Sequence, residues 1–233
     1  MKKNLLRRWL DDLLDLFFPN LCIICNETLV GGELQICLRC LHAMPKTNYH
    51  LQTDNTVEKR FWGKVPVYCG TSYFFFEKGS PFQKLIHELK YRGNKEIGII
   101  AGSYAAADLL EKPEFRSVDV LVPVPLHPRK YAQRGYNQSE YIAKGLAAVM
   151  DKPVDTVHLL RIRENTTQTR KSVFDRYQNT KGIFYLNDDT VFEGKHILLV
   201  DDVLTTGSTL EACMQALLQT KNIKISIFTL AIA

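Results

Sequence analysis

Apolar residues recur along this chain with two alternating periods, and the alternation predicts an α/β domain. Strand-like runs fall at residues 67–76, 119–125, 195–200 and 224–232, and helical patterns at 81–91, 95–111, 138–150 and 208–220. Phe82, Leu85, Ile86 and Leu89 share one face of the first helix, the stripe of an amphipathic helix lying on a sheet. Ile197 to Val200 are apolar on both alternating faces, as expected of a strand covered on both sides in a parallel sheet. Strands alternating with helices of this length imply a parallel sheet flanked by helices, with right-handed crossovers, over residues 66–233.

Upstream the pattern changes. Leu6, Trp9, Leu10, Leu13, Leu14 and Phe17 form one stripe, predicting an amphipathic helix over residues 1–18. Asp11, Asp12 and Asp15 interrupt the apolar run, leaving it too short for a secretory core or a membrane span. The stripe is expected to pack on the adjoining module or on a partner, and the chain is expected to be cytoplasmic. Residues 45–65 are polar, lack periodicity and include Pro45, Asn48, Asp54 and Asn55. They read as a linker between a small module at 19–44 and the main domain.

Composition narrows the class without naming a function. The 233 residues are 45% hydrophobic and 24% charged, enough for an ordinary core and unlike a disordered chain. The formal net charge of +5 permits an anionic partner without requiring one.

The richest segment is 197–209, Ile-Leu-Leu-Val-Asp-Asp-Val-Leu-Thr-Thr-Gly-Ser-Thr. Asp201 and Asp202 end a buried strand, where open α/β sheets bind ligands. Thr205, Thr206, Gly207, Ser208 and Thr209 follow where a helix begins, and free backbone N–H groups there favour an anion. The pattern predicts a phosphate site beside carboxylates that grip either vicinal ribose hydroxyls or a divalent cation. A P-loop reading fails, because no G-x-x-x-x-G-K-[ST] string precedes it. The segment resembles the 5-phosphoribosyl-pyrophosphate (PRPP) motif of type I phosphoribosyltransferases, in which the acidic pair faces the ribose hydroxyls and the loop wraps the 5-phosphate.

Cys22-x-x-Cys25 and Cys37-x-x-Cys40 form two knuckles, a spacing that completes a tetrahedral zinc site with no open position, hence a structural role. Disulfides are the alternative; nothing marks secretion, and Cys69 and Cys213 read as buried free thiols. A strand ending in Pro123 and Pro125 leads to a turn bearing His127, Arg129, Lys130 and Arg134, then Asn137 and Gln138 at a helix start. This suits a pyrophosphate or nucleic-acid phosphates, the bland alternative being a solvated basic loop. Residues 161–176, with Arg161, Arg163, Gln168, Arg170 and Lys171, read as a flexible lid whose cations suit either the site or a nucleic-acid backbone. Tyr131, Tyr136 and Tyr177 are the candidate base-stacking aromatics.

Several strings together resemble the ComF family of phosphoribosyltransferase-like proteins. They are the cysteine module, Lys90-Tyr91-Arg92-Gly93, Pro123-Val124-Pro125, Arg134-Gly135-Tyr136-Asn137-Gln138, Arg161 with Arg163 and Gln168, Arg176, and the Asp-Asp-x-x-Thr-Thr-Gly-Ser-Thr loop. Asn165 stands where relatives often carry threonine. The resemblance implies a type I phosphoribosyltransferase-like sheet with an N-terminal four-cysteine zinc module. It implies PRPP or ribose 5-phosphate bound with magnesium, Asp201 and Asp202 as the catalytic pair, and a role in natural transformation. There the chain would handle incoming single-stranded DNA beside a ComFA-like helicase/ATPase. Three classes of function follow: a DNA-uptake protein on a transferase scaffold, a working phosphoribosyltransferase, and a PRPP-responsive regulator.

Overall fold

Four parallel strands carry the site. The computed structural model describes residues 18–161 and 183–233. In chain order these form α1 (Leu38–His42), α2 (Thr56–Lys59), β1 (Gly70–Phe75), α3 (Gln83–Tyr91), α4 (Glu96–Leu109), α5 (Pro113–Arg116) and β2 (Val120–Pro123). Then come α6 (Pro128–Arg134), α7 (Gln138–Met150), β3 (Leu159–Arg161), β4 (Phe184–Leu186), β5 (His196–Leu204), α8 (Ser208–Leu217) and β6 (Lys224–Ile232). The strand order is β1-β6-β5-β2, with every neighbouring pair parallel. β5 and β6 occupy the middle and are buried along most of their length, which is why Ile197–Val200 is continuously apolar, while in β6 the buried Ser226 and Thr229 bond to His196 and Ser72. β3 and β4 pair antiparallel in a separate two-stranded sheet.

Helices cover both faces. Residues of α3, α4 and α7 pack on one face around Leu121, Leu198, Val200 and Phe228, and α8 packs on the other over Val122, Leu199 and Ile227. α4 and α7 cross backbone to backbone: a Cβ on Gly145 would overlap the Ile99 carbonyl, and one on Gly102 the Ile142 carbonyl.

The segment expected to be a linker is folded onto the sheet. Phe75 N–H donates to the Pro45 carbonyl at 2.9 Å and Thr47 N–H to the Tyr73 carbonyl at 3.0 Å, so residues 45–47 cover the β1 edge that would otherwise be open. Asn55 caps α2 through its side-chain oxygen, which accepts from Val57 N–H at 2.9 Å. Val57, Phe61 and Val65 are buried in the core on the α8 face, each contributing roughly 1.5–3 kcal/mol. The polar residues that suggested a linker are caps and turns, and the three apolar ones, four apart, make a short helical stripe that the polar surroundings masked.

The cysteine module is also continuous with the domain. Cys22, Ile24, Ile36, Cys37, Cys40 and Met44 belong to the same buried cluster as Phe74, Leu85 and Ile86. Lys84 Nζ donates to the Ile24 carbonyl at 2.9 Å, and Gln35 Nε2 to Glu96 at 2.8 Å. Of the helix expected over residues 1–18, only Phe18 lies within the described residues; of the expected lid, Arg161 does and Arg163, Gln168, Arg170 and Lys171 do not, nor does the stacking candidate Tyr177.

Candidate functional site

β5 outruns its neighbour. Its pairing with β2 ends at Pro123↔Val200, whereas on the other side it stays paired with β6 through Leu204↔Ile232. Pro125 has no N–H to continue the ladder. Asp201 and Asp202 therefore sit within the strand, rather than just past it as the apolar run suggested, but beyond the reach of β2. The N-terminus of α7 fills that space: Ser139 Oγ donates to Asp201 Oδ1 at 2.9 Å, and Asp202 N–H donates to the same oxygen at 2.9 Å.

Lys90, at the end of α3, completes the group by placing Nζ 3.1 Å from Asp202 Oδ2, with both side chains mostly buried. Burial, and then the charge of Asp202, push the Asp201 carboxyl up to about 7; the Asp202 N–H, Ser139 and Lys90 pull the other way. The acidic pair is thus a buried unit carrying its own counter-cation. Lys90 and Ser139 escaped the sequence reading as site residues. The signal for Lys90 was a cation ending an apolar helix face in Lys-Tyr-Arg-Gly.

After β5 the chain turns through Thr205 and Thr206 into α8. An open cleft of about 220 Å³ is lined by Asp201 and by residues 203–210, including Thr205, Thr206, Gly207, Ser208 and Thr209. Gly207 is the N-cap of α8 in the left-handed conformation, φ 84°, with no side-chain capping bond. Thr206 Oγ1 and Ser208 Oγ lie 3.1 Å apart on the exposed side. Ser208 N–H points at Thr206 Oγ1 at 3.4 Å, and a helix start whose N-cap has no side chain, flanked by hydroxyls, is suited to an anion by charge and by hydrogen-bonding capacity. The glycine has a reason beyond phosphate approach: a Cβ there would stand 3.2 Å from Cε1 and Cζ of Phe61, which floors the loop.

The basic turn is a short helix. His127 Nδ1 accepts from Arg129 N–H at 3.2 Å at the start of α6, and Gly135 closes it with φ 76°. Arg129 and Lys130 are exposed. Arg134 is committed elsewhere, donating to Gln138 Oε1 at 2.8 Å and stacking 5.6 Å over the Tyr91 ring. Asn137 and Gln138 are buried at 8% and 1% exposure. Asn137 donates to the Val124 carbonyl at 2.9 Å and caps α7, so it serves the scaffold, whereas Gln138 accepts from Arg134 and leaves its buried Nε2 without a partner among the described residues. Arg161 stacks 5.3 Å over Phe184.

At the other end of the chain the Sγ atoms of Cys22, Cys25, Cys37 and Cys40 all lie within 4.8 Å of one another. Cys25 and Cys37 are 3.7 Å apart, close to the roughly 3.8 Å that two thiolates span on a tetrahedral zinc at about 2.3 Å each. Backbone N–H groups of Cys37 and Cys40 point at Cys22 Sγ and Cys37 Sγ, at 3.4 Å each, the arrangement that orients ligand thiolates. Four such sulfurs can hold one metal ion such as zinc.

Comparison with known proteins agrees with this arrangement. A model of the phosphoribosyl transferase domain matches residues 137–232, the span from the α7 cap through β6. Competence protein F of Haemophilus influenzae is 32% identical over 210 residues, covering 83% of this chain and 89% of that protein. The chain belongs to the ComF family. Another relative, DNA utilization protein YhgH of Escherichia coli, is 29% identical over 86% of this chain and 92% of its own length. Competence protein ComFC of Bacillus subtilis is 32% identical over 64% of this chain and 58% of that protein. Among solved structures, a purine phosphoribosyltransferase from Pyrococcus horikoshii aligns at TM-score 0.33 and 16% identity over 62% of this chain and 86% of its own.

In this ComF protein the Arg-Gly-Tyr-Asn-Gln string is a bracket around the carboxylates. The Tyr136 hydroxyl donates to the Leu89 carbonyl, tying the end of α3 to the start of α7. Asn137 ties that start to the β2 exit. Ser139, two residues after Asn137, reaches Asp201, while the residue after Leu89, Lys90, reaches Asp202. One buried tyrosine therefore sets the positions of both polar partners of the acidic pair.

Proposed function

We propose that this ComF-family protein acts in the uptake and use of incoming DNA, as the names of its relatives indicate. We further propose that its cleft binds PRPP or a ribose 5-phosphate with magnesium. The observation supporting this most directly is the convergence of Asp201, next to the Lys90-paired Asp202 on β5, with the start of α8 in one cleft. A 5-phosphate would accept from the N–H groups and hydroxyls of residues 206–209, while Asp201 and Asp202 would accept from ribose hydroxyls or hold the magnesium. The exposed cations of α6 would meet pyrophosphate or DNA phosphates, and zinc on the four thiolates would be structural. A ComFA-like ATPase would be the protein partner, on the cytoplasmic side. Among the described residues no helix is long and apolar enough to cross a membrane.

Calorimetry with PRPP and magnesium tests the ligand, with binding expected in the wild type and lost in Asp201→Ala/Asp202→Ala. No heat with either PRPP or ribose 5-phosphate would remove the claim. A pull-down from competent cells with the same pair of proteins tests the ATPase partnership. Pyrophosphate release with a panel of bases separates a working transferase from a ligand-binding scaffold.

A further inference from the structure

Two large aromatic rings stand out of the surface beside the cleft. Tyr91, at the end of α3, is 68% exposed, and Tyr131, on α6, is 50% exposed. The two helices are joined by Arg134, which lies one turn after Tyr131 and stacks 5.6 Å over the Tyr91 ring. The His87 ring meets Tyr91 on α3 at 5.1 Å, tilted 45°. Arg92, Arg129 and Lys130 are exposed around them and form no salt bridge among the described residues. Lys90, the neighbour of Tyr91, reaches inward to Asp202, so this face begins at the mouth of the ribose site.

Exposed rings interleaved with unpaired cations are what a nucleic-acid single strand requires. Unstacked bases lie on aromatic faces while the backbone follows the positive charge. A duplex keeps its base faces covered and offers nothing to these rings. We infer that single-stranded nucleic acid lies across the α3 end and α6, stacking bases on Tyr91 and Tyr131, with Arg92, Arg129 and Lys130 on its phosphates. This rests on the DNA-handling reading above and gives it a surface. Tyr136, a candidate from the sequence, is excluded: it is 2% exposed and its hydroxyl is spent on Leu89.

The test is anisotropy of a labelled thymine oligonucleotide against the full chain at several salt concentrations. Tyr91→Ala and Tyr131→Ala should each weaken binding roughly tenfold, a typical single-stack loss, and leave the salt slope unchanged. Tyr91→Phe and Tyr131→Phe should stay within about twofold of wild type, because the ring face is retained. Arg129→Glu/Lys130→Glu should instead flatten the log-log salt slope by about 1.4, as two single-strand phosphate contacts are lost. Wild type that ignores the oligonucleotide at low salt overturns the DNA reading and this surface together. Wild type that binds, with alanine variants that bind equally, overturns the surface alone. So do phenylalanine variants as weak as the alanine ones. Alanine variants that keep the oligonucleotide but lose a protein in the pull-down would make the face a protein interface and likewise overturn the inference.

Discussion

Truncating Phe61 separates a folded segment from a tether. Phe61 follows α2, is 1% exposed, and belongs to the buried cluster that includes Val57, Leu199 and Leu210. Its ring edge lies 3.2 Å from the point where Gly207 would carry a Cβ, so it is at once core and floor of the Thr/Gly/Ser loop. Phe61→Ala removes a ring from a packed site and should cost about 3–5 kcal/mol, a large share of the 5–15 kcal/mol that holds an ordinary domain together. Phe61→Leu keeps most of the apolar volume and should cost less than about 1.5 kcal/mol. Urea unfolding followed by fluorescence reads both values, Trp62 being the adjacent residue. Calorimetry with PRPP should show a further loss of affinity in Phe61→Ala, since the loop has lost its support. A cost below about 1 kcal/mol for the alanine variant would refute the packing described for residues 45–65, and with it the account of why position 207 is glycine.

Gly207→Ala should lower stability by about 1–2 kcal/mol in the same assay, from a left-handed φ of 84° that a side chain disfavours; an unchanged midpoint counts against it. Because Asp201 holds its proton up to about 7, the folded state binds a proton that the unfolded chain releases near its ordinary 3.8. Stability should therefore fall as pH rises through that window, while magnesium–PRPP affinity rises. Asp201→Asn should flatten the stability dependence, and parallel wild-type and variant curves would refute this. His196 acts in the opposite sense: its pKa is lowered from 6.5, mainly by burial, so its contribution is present above 6.5 and lost as pH falls below it. Exchanging it for glutamine should remove that loss in acid denaturation; a wild-type-like acid limb would refute it. Cys40→Ser should release metal, measured by elemental analysis, and lower the melting point of the whole domain, because Cys40 shares a core with Leu85 and Phe74. An unchanged domain melt would refute the shared core.

The sequence showed the sheet because its signals are local. The continuous apolar run at Ile197–Val200, the mostly apolar β6 and the Phe82–Leu89 stripe are short-range patterns that burial on one or both faces imposes directly. The acidic pair and the Thr/Gly/Ser turn were legible for the same reason: strand end, turn and helix start are consecutive. What stayed hidden depends on contacts between distant segments. Lys90 meets Asp202 across 112 positions, a separation that follows from the two residue numbers, and Phe61 meets Gly207 from a stretch whose three-residue apolar stripe is set among polar turns. Asn137 looked like a ligand group because a polar residue before a helix suits either a cap or a site; its capping bond and its burial favour the cap. The basic turn hid a seven-residue helix, because Pro128 at its first position reads equally as a breaker.

The site exists because neighbouring strands differ in length. β5 has nine residues and β2 four, and the Pro123-Val124-Pro125 exit ends the shared ladder at Val200. Val124 N–H still donates to the Val200 carbonyl at 2.8 Å; nothing in β2 follows to pair with Asp201. Had β2 continued, its backbone would fill the space now occupied by Ser139 and the start of α7. Instead β6 alone carries the strand forward, holding the carboxylates rigidly on one side and leaving the other to side chains. Asp201, held by the Ser139 hydroxyl and the Asp202 N–H, and Asp202, held by the Lys90 ammonium, can exchange side-chain partners for ribose hydroxyls or a cation. That exchange leaves the ladder between β5 and β6 intact. The two prolines and the Tyr136 bracket thus serve the same end from opposite sides of the acidic pair.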